Sequence, residues 1–157
     1  MQGFSHLLFG AGCTLLATQH GMLPTTLPVI AAGCLGALLP DVDHPKSMIG
    51  RRIPVLPNIL YNAFGHRQLT HSGGVVLGIL AIYAYYGAPW LLALAIGYIS
   101  HLLGDMVFGN GVPIFYPSRY RIAAPFTFQV GSLQERLLQV AMLAGFVFFS
   151  GRMPTGL

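Results

Sequence analysis

Residues 90–108 form a long apolar run that carries a histidine and an aspartate near its end, His101 and Asp105. Because the two are four residues apart, a helix would present both side chains on one face. A carboxylate at the centre of a membrane-spanning helix costs about 2.5–3.5 kcal/mol on insertion scales. We therefore expect the pair to interact with a group that offsets this cost. An imidazole and a carboxylate on one helix face can together bind a metal ion.

The composition indicates an integral membrane protein with one domain over residues 1–157. Hydrophobic residues make up 54% of the chain and charged residues 8%, and the mean hydropathy is +0.66. Soluble domains carry about 25% charged residues, so this chain lacks the side chains for a solvated surface. The net charge of +4 comes from bases scattered between apolar runs. That distribution argues against a nucleic-acid partner and leaves the lipid bilayer as the predicted surroundings.

The apolar runs predict an all-α fold, an integral membrane bundle of about five helices. We place the helices at residues 4–20, 27–39, 71–86, 90–108 and 132–150. The second run is short for a bilayer core of about 30 Å, so it either crosses a thinned region or is re-entrant. Two long loops, 45–65 and 113–131, join the helices, and the first contains a short helix near residues 58–64.

Local signals refine the predicted ends of three helices. Thr70 suits the N-cap of the third helix, and Ser132 with Glu135 three residues later matches a capping box for the last helix. The first apolar run has no Lys or Arg before it. We therefore expect no cleavable signal peptide, and the first run then stays as a helix of the mature protein.

The order of the helices brings the polar residues to one end of the bundle. If all five cross the membrane, every acid and every histidine except His20 lies at that end. The candidate metal ligands are His6, Asp41, Asp43, His66, His71, His101, Asp105 and Glu135. Seven of the eight Lys and Arg residues belong to the same end, so the positive-inside rule predicts that it faces the cytoplasm.

Neutral imidazoles and carboxylates without cysteine suit a divalent metal, Zn²⁺ above all and Mn²⁺ or Fe²⁺ as well. The donors outnumber those of one tetrahedral ion, so we expect two or more ions. Neighbouring ions can activate water and bind a phosphoryl or acyl oxygen. We assign catalytic roles to Asp43 and to Arg67, which could pair with an anionic substrate oxygen.

Each candidate also has a structural interpretation. His101 and Asp105 could form a hydrogen-bonded pair that orients helices. Asp41 and Asp43 could end the second helix through an Asx-turn. Glu135 could serve only as a helix cap, and His44 could orient the aspartates without touching a metal.

The motifs resemble the YdjM-like family of bacterial inner-membrane proteins. The resemblance rests on His6 and on the segments 39–45 (LPDVDHP), 66–72 (HRQLTHS) and 100–105 (SHLLGD). It implies a multi-pass protein of the bacterial inner membrane, since the family is described as membrane-bound metal-dependent hydrolases. Gln68 stands where the family commonly has glycine. The His-x-x-x-Asp pattern is more distantly similar to zinc-dependent phospholipase C and P1-type nucleases, which implies a phosphoester substrate.

Two functions of different classes fit these patterns. The first is a membrane-bound metal-dependent hydrolase of a small-molecule or lipid substrate, in particular a phosphoester or phospholipid. The alternative is a non-enzymatic metal-binding membrane protein, such as a sensor, a transport component or a partner-binding scaffold. The opposite end of the bundle has no acid in its turns, which argues against a complete transport path.

Overall fold

A computed structural model describes residues 1–53, 55–64, 68–118 and 120–150 of the chain. The described residues contain six α-helices and no β-strand, so the predicted all-α class is confirmed. The helices are α1 (Gly3–Gln19), α2 (Leu27–Gly36), α3 (Val55–Phe64), α4 (Gly73–Tyr86), α5 (Pro89–Val107) and α6 (Leu133–Ser150). All five predicted long helices are present, and α3 is the short helix predicted within the first loop.

Helix α5 is the centre of the bundle and contacts α1, α2 and α4. Pro89 stands in its first turn, where a fixed φ favours the helix and no backbone donor is lost. Gly87, in the left-handed conformation with φ +64°, ends α4 just before it. Among the described residues, α5 is the one helix long and apolar enough to cross a membrane, while α2 and α4 are apolar but shorter.

Small residues let α2 and α5 pack with their backbones in contact. A methyl group added to Gly97 would collide with the carbonyl oxygen of Gly33, and one added to Gly36 would collide with the carbonyl of Leu94. Close approach through small residues is the usual way in which helices associate in membranes. The contact fixes the end of α2 against the half of α5 that carries the polar pair.

Two helix ends differ from the sequence prediction. Helix α2 ends at Gly36, and Leu39–Asp43 forms a 3₁₀ turn, because Pro40 has no N–H to continue the α-helical pattern. Thr70 is not the N-cap of α4, since Ser72 occupies that position and Leu69–His71 forms another 3₁₀ turn. Both turns direct polar side chains toward α5.

The segment between α5 and α6 folds back over the end of α5. Val112 and Ile122 exchange two backbone hydrogen bonds, of 2.9 and 3.0 Å. The N–H of Gly73 donates to the carbonyl of Ile114 over 2.9 Å, which attaches this segment to the start of α4. Exposed aromatic side chains on it, Phe115 and Phe126 among them, suit a membrane–water interface.

Gly97→Ala should lower the free energy of unfolding by about 1–3 kcal/mol, because the added methyl group forces α2 and α5 apart. The measurement is thermal unfolding of the detergent-purified protein. Gly78→Ala in α4 is the matched control, since a methyl group there meets no other atom within 4 Å. An equal effect of both substitutions would contradict the close packing at Gly97.

Candidate metal centre

Five polar side chains meet where the second half of α5 faces its neighbours. His101 and Asp105 come from α5, His6 from the first turns of α1, His71 from the 3₁₀ turn before α4, and Asp41 from the turn after α2. The three histidines are 0% exposed and Asp105 is 1% exposed, whereas Asp41 is 16% exposed. The cluster therefore opens toward solvent on the side of Asp41.

Two carboxylate oxygens of this cluster each lie close to the same two imidazole nitrogens. Asp105 Oδ2 lies 3.6 Å from His71 Nε2 and 3.8 Å from His101 Nε2. Asp41 Oδ1 lies 3.8 Å from both of these nitrogens. Ligands about 2.0–2.1 Å from a tetrahedral zinc ion lie about 3.3–3.4 Å from one another. The observed separations are slightly longer than that and too long for direct hydrogen bonds.

His101 is oriented by a backbone carbonyl. Its Nδ1 lies 2.7 Å from the carbonyl oxygen of Ala37, at the end of α2, where carbonyls have no partner within the helix. Nδ1 therefore carries the proton, and Nε2 presents its lone pair to the cluster. His101 Nε2 is buried and makes no hydrogen bond among the described residues. A buried lone pair aimed at carboxylates suits a metal ligand.

His71 is oriented by a relay of side chains. Its Nδ1 lies 3.1 Å from Thr70 Oγ1, and that hydroxyl donates to Asp43 Oδ2 over 3.0 Å. Because the hydroxyl proton points to Asp43, the oxygen accepts the Nδ1 proton of His71. The lone pair of Nε2 is then directed at Asp41 and Asp105. The hydroxyl of Tyr98 donates to the carbonyl of Thr70 and fixes the turn against α5.

His6 lies flat against His101, with ring centroids 3.6 Å apart and planes 11° from parallel. Gly104 leaves room for the Met1 side chain beside His6, because a methyl group there would collide with Met1 Sδ. His6 Nε2 is 3.2 Å from Asp105 Oδ1, and the amino group of Met1 is 2.5 Å from the same oxygen. His6, Asp41 and His101 form a second group of possible ligands, which overlaps the first at His101.

The remaining predicted residues lie beside the cluster or outside the described part of the chain. Asp43 is 1% exposed and bonds Thr70. Glu135 is buried and accepts hydrogen bonds from the N–H of Gln2, the hydroxyl of Ser5 and the N–H of Gly131. His66 and Arg67 lie outside the described residues, so the roles predicted for them stay predictions.

Three further predictions fall outside the cluster. His44 Nδ1 accepts a bond from the N–H of Lys46, within the loop that follows Asp41. His20 is exposed at the far end of α1, away from the cluster as predicted. Ser132 and Glu135 form only half of a capping box, because the Glu135 carboxylate binds Gly131 and the start of α1.

Sequence reasoning missed the groups that orient the histidines. From the sequence alone, Thr70 suits a helix cap, and Tyr98 belongs to an apolar run. A threonine directly before His71 was a usable signal, since a hydroxyl there can reach the imidazole. No residue type in the sequence indicates that the backbone carbonyl of Ala37 would bond His101.

The fold and this cluster define a helical membrane protein with buried His/Asp groups that could hold a metal ion. The YdjM inner membrane protein family matches residues 1–154, and the chain belongs to that family. Inner membrane protein YdjM of Escherichia coli K12 is 33% identical over 168 residues, which cover 98% of this chain and 85% of the relative.

A second relative comes from a different bacterium. Uncharacterized protein YvsG of Bacillus subtilis 168 is 34% identical over 161 residues, which cover 98% of this chain and 99% of that protein. No solved structure gives a significant match. The relatives therefore establish the family and its inner-membrane setting, and the candidate site rests on the geometry above.

Thr70→Val should weaken metal affinity about 10–100-fold, because it removes the group that orients His71 while keeping the shape of the side chain. The measurement is competition of the purified protein with a fluorescent zinc chelator. Thr18→Val is the matched control, since its hydroxyl bonds only the Leu15 carbonyl within α1. Equal affinities of Thr70→Val and wild type would show that the relay does not act on a metal site.

Glu135→Gln separates a structural role of this carboxylate from a ligand role. The amide places a donor against a backbone N–H, so we expect a loss of about 1–3 kcal/mol in unfolding free energy. Metal content per protein should stay unchanged, as determined by elemental analysis. Gln134→Ala, at an exposed position of the same turn, is the control. Loss of bound metal from folded Glu135→Gln would instead identify Glu135 as a ligand.

Proposed function

We propose that this inner-membrane protein is a metal-dependent hydrolase of a phosphoester, with its site at the cytoplasmic face of a multi-pass bundle. The observation that carries the proposal is the convergence of two buried imidazole nitrogens and a buried carboxylate oxygen, those of His71, His101 and Asp105, beside a partly exposed Asp41. A set of three protein ligands with one accessible position is typical of catalytic zinc sites.

The three buried donors fit a divalent ion by their chemistry as well as by their spacing. Both imidazoles present unprotonated Nε2 atoms without a hydrogen bond, and Asp105 supplies a negative charge that a cation would offset. We assign Zn²⁺, with Mn²⁺ or Fe²⁺ as other ions that accept these donors. When bound, such an ion supplies Lewis-acid chemistry that activates water and polarises a phosphoryl oxygen.

Asp41 has the accessible position next to the three buried donors. Its carboxylate can accept the proton of an attacking water, because it is within 3.8 Å of both imidazole nitrogens and reaches solvent. Asp43 was predicted to be catalytic, and we now assign it a positioning role through Thr70 and His71. Arg67, which lies outside the described residues, is retained in the proposal as the partner of an anionic substrate oxygen.

The loop after Asp41 favours an anionic substrate. Lys46, Arg51 and Arg52 are exposed within eleven residues of Asp41. The hydroxyl of Ser47 donates to the Asp41 carbonyl over 2.7 Å and holds this basic loop beside the opening. Cations near the entrance raise the local concentration of a phosphoester.

The two overlapping donor groups bear on how many ions the site would hold. His101 offers one nitrogen to both groups, since Ala37 engages the other. A second ion would be held by His6 and Asp41, the two members of the second group that the first group does not use. We retain two ions in the proposal on that basis.

The second candidate function is a non-enzymatic metal-binding protein. It is favoured by the same four donors if Asp41 completes the coordination, because structural zinc sites are closed by four protein ligands. Asp41→Ala distinguishes the two. In a hydrolase it should lower turnover about 10²-fold or more and leave an ion bound, whereas in a closed site it should release the metal.

Hydrolysis of phosphoesters by the purified protein with Zn²⁺ or Mn²⁺ tests the proposal directly. A chelator should abolish turnover and added metal should restore it. His101→Gln and Asp105→Asn should each reduce turnover at least about 10²-fold, since each removes a donor. His20→Ala is the control, because this histidine is exposed and remote. Undiminished turnover in both donor variants would show that another site carries the activity.

A further inference from the structure

Helix α3 packs at the end of the bundle where the His/Asp cluster opens. Helix α5 is long enough to cross the membrane, and Asp105 is in its last turn. The turn Leu39–Asp43 packs against α5, and α3 packs against that turn. The ten residues of α3 measure about 15 Å, half of a hydrocarbon core of about 30 Å. Helix α3 is therefore placed near one membrane surface and is too short to cross the bilayer.

One side of α3 is both apolar and exposed. Val55, Ile59 and Ala63 are four residues apart, and Leu56 adjoins them, so the helix brings all four into one stripe. All four are exposed, Val55 by 68% and Ile59 by 57%. Pro57 projects from another side of the helix and is buried. The exposed stripe is therefore separate from the side by which α3 packs on the protein.

The side of α3 next to this stripe is polar. Asn58 and Asn62 are four residues apart and exposed. A helix with one polar and one apolar side lies in the plane of a membrane surface, with its apolar side buried about 5–10 Å deep. Such helices usually carry cations on the polar side, and here the cations precede the helix.

A basic loop leads directly into α3. Lys46, Arg51 and Arg52 are exposed, and no carboxylate pairs with either arginine within the described part of the chain. Arg51 Nε donates to the Ser47 carbonyl over 3.3 Å, and Arg52 Nη1 donates to the Met48 carbonyl over 2.5 Å. A guanidinium has five N–H groups, so each arginine has donors left for an external anion.

The basic loop is closely folded. The Ser47 hydroxyl donates to the Asp41 carbonyl over 2.7 Å and accepts a bond from the N–H of Gly50 over 2.8 Å. A methyl group added to Gly50 would collide with the His44 carbonyl oxygen. These contacts hold the two arginines between the opening at Asp41 and the start of α3.

We propose that the basic loop and the exposed stripe of α3 together dock on the anionic phospholipid surface of the membrane that the protein spans. The stripe enters the layer just below the head groups, and the guanidinium groups bind lipid phosphates. A phospholipid surface offers apolar and anionic groups side by side, whereas a soluble phosphoester offers only the charge. The inference goes beyond the proposed function and does not depend on hydrolysis.

The first experiment measures the depth of α3 in the full chain, reconstituted in nanodiscs of phosphatidylcholine and phosphatidylglycerol. The free cysteines Cys13 and Cys34 are replaced by alanine, and a nitroxide is attached through Ile59→Cys. Asn62→Cys is the matched control on the polar side, and Val55→Cys repeats the test on the stripe. Oxygen concentrates in lipid and a nickel chelate in water, so power saturation by each reports the surroundings of the nitroxide. We expect the ratio of oxygen to chelate collisions to be at least about fivefold higher on the stripe.

The second experiment tests the charge. The collision ratio at Ile59 should fall at least about twofold when phosphatidylcholine replaces phosphatidylglycerol, and equally when Arg51→Gln and Arg52→Gln are combined. Arg121→Gln with Arg136→Gln removes the same charge from exposed positions outside the loop and should leave the ratio unchanged. Sodium chloride should weaken the effect of phosphatidylglycerol by screening, and inorganic phosphate at equal ionic strength should weaken it no further.

Four results would overturn the proposal. Domination by the chelate at both Val55 and Ile59 would place the stripe in water. A ratio that responds neither to phosphatidylglycerol nor to the arginine substitutions would show that the loop does not contribute to docking. A loss specific to inorganic phosphate would assign the cations to a soluble anion. Dipolar broadening between nitroxides at Ile59 would show that a second copy of the chain covers the stripe.

Discussion

The arrangement of this protein depends on the burial of His101 in the central helix. One ring nitrogen bonds the Ala37 carbonyl, and the other points at two carboxylates without a hydrogen bond among the described residues. A buried polar atom with no partner costs about 1–3 kcal/mol of folding free energy. Either a bound cation at this nitrogen or stabilising contacts elsewhere must offset that cost. The His/Asp cluster around it supplies the donors that such a cation requires.

Close helix packing makes this arrangement possible. Gly36 and Gly97 let α2 approach α5, and that approach brings the Ala37 carbonyl to His101 and the Asp41 turn to the opening. Gly104 lets the Met1 side chain lie on α5 in the same way. The glycines that determine the fold are thus also the residues that bring ligands from separate helices within a few ångströms of one another.

The charge around the metal site favours the proposed class of substrate. The polar donors are at one level of the bundle, and a basic loop lies beside Asp41, their most exposed member. A phosphoester matches this setting, because its phosphate is anionic.

Chain direction and helix order predict much of this organisation. Five apolar runs and the i, i+4 spacing of His101 and Asp105 were enough to predict an all-α bundle and to select the donors that the structure brings together. The end of α2 was misplaced because the missing N–H of Pro40 acts on the preceding turn, so the helix ends before the proline.

Long-range contacts could not be read from local patterns. Glu135 matched a helix cap, yet its carboxylate binds Gln2 and Ser5, which are more than a hundred residues away in the chain. The role of Thr70 depends on Asp43 being held within 3.0 Å of its hydroxyl, which follows from packing of two turns. Spacing along the sequence contains no information about either contact.

An X-ray absorption spectrum of the zinc-loaded protein in detergent would test the metal centre directly. We expect light-atom ligands at about 2.0–2.1 Å with the multiple-scattering pattern of two imidazoles and no sulfur. A sulfur shell at about 2.3 Å would assign the metal to a cysteine. A spectrum of weakly bound zinc without imidazole would show that His71 and His101 do not form a metal centre.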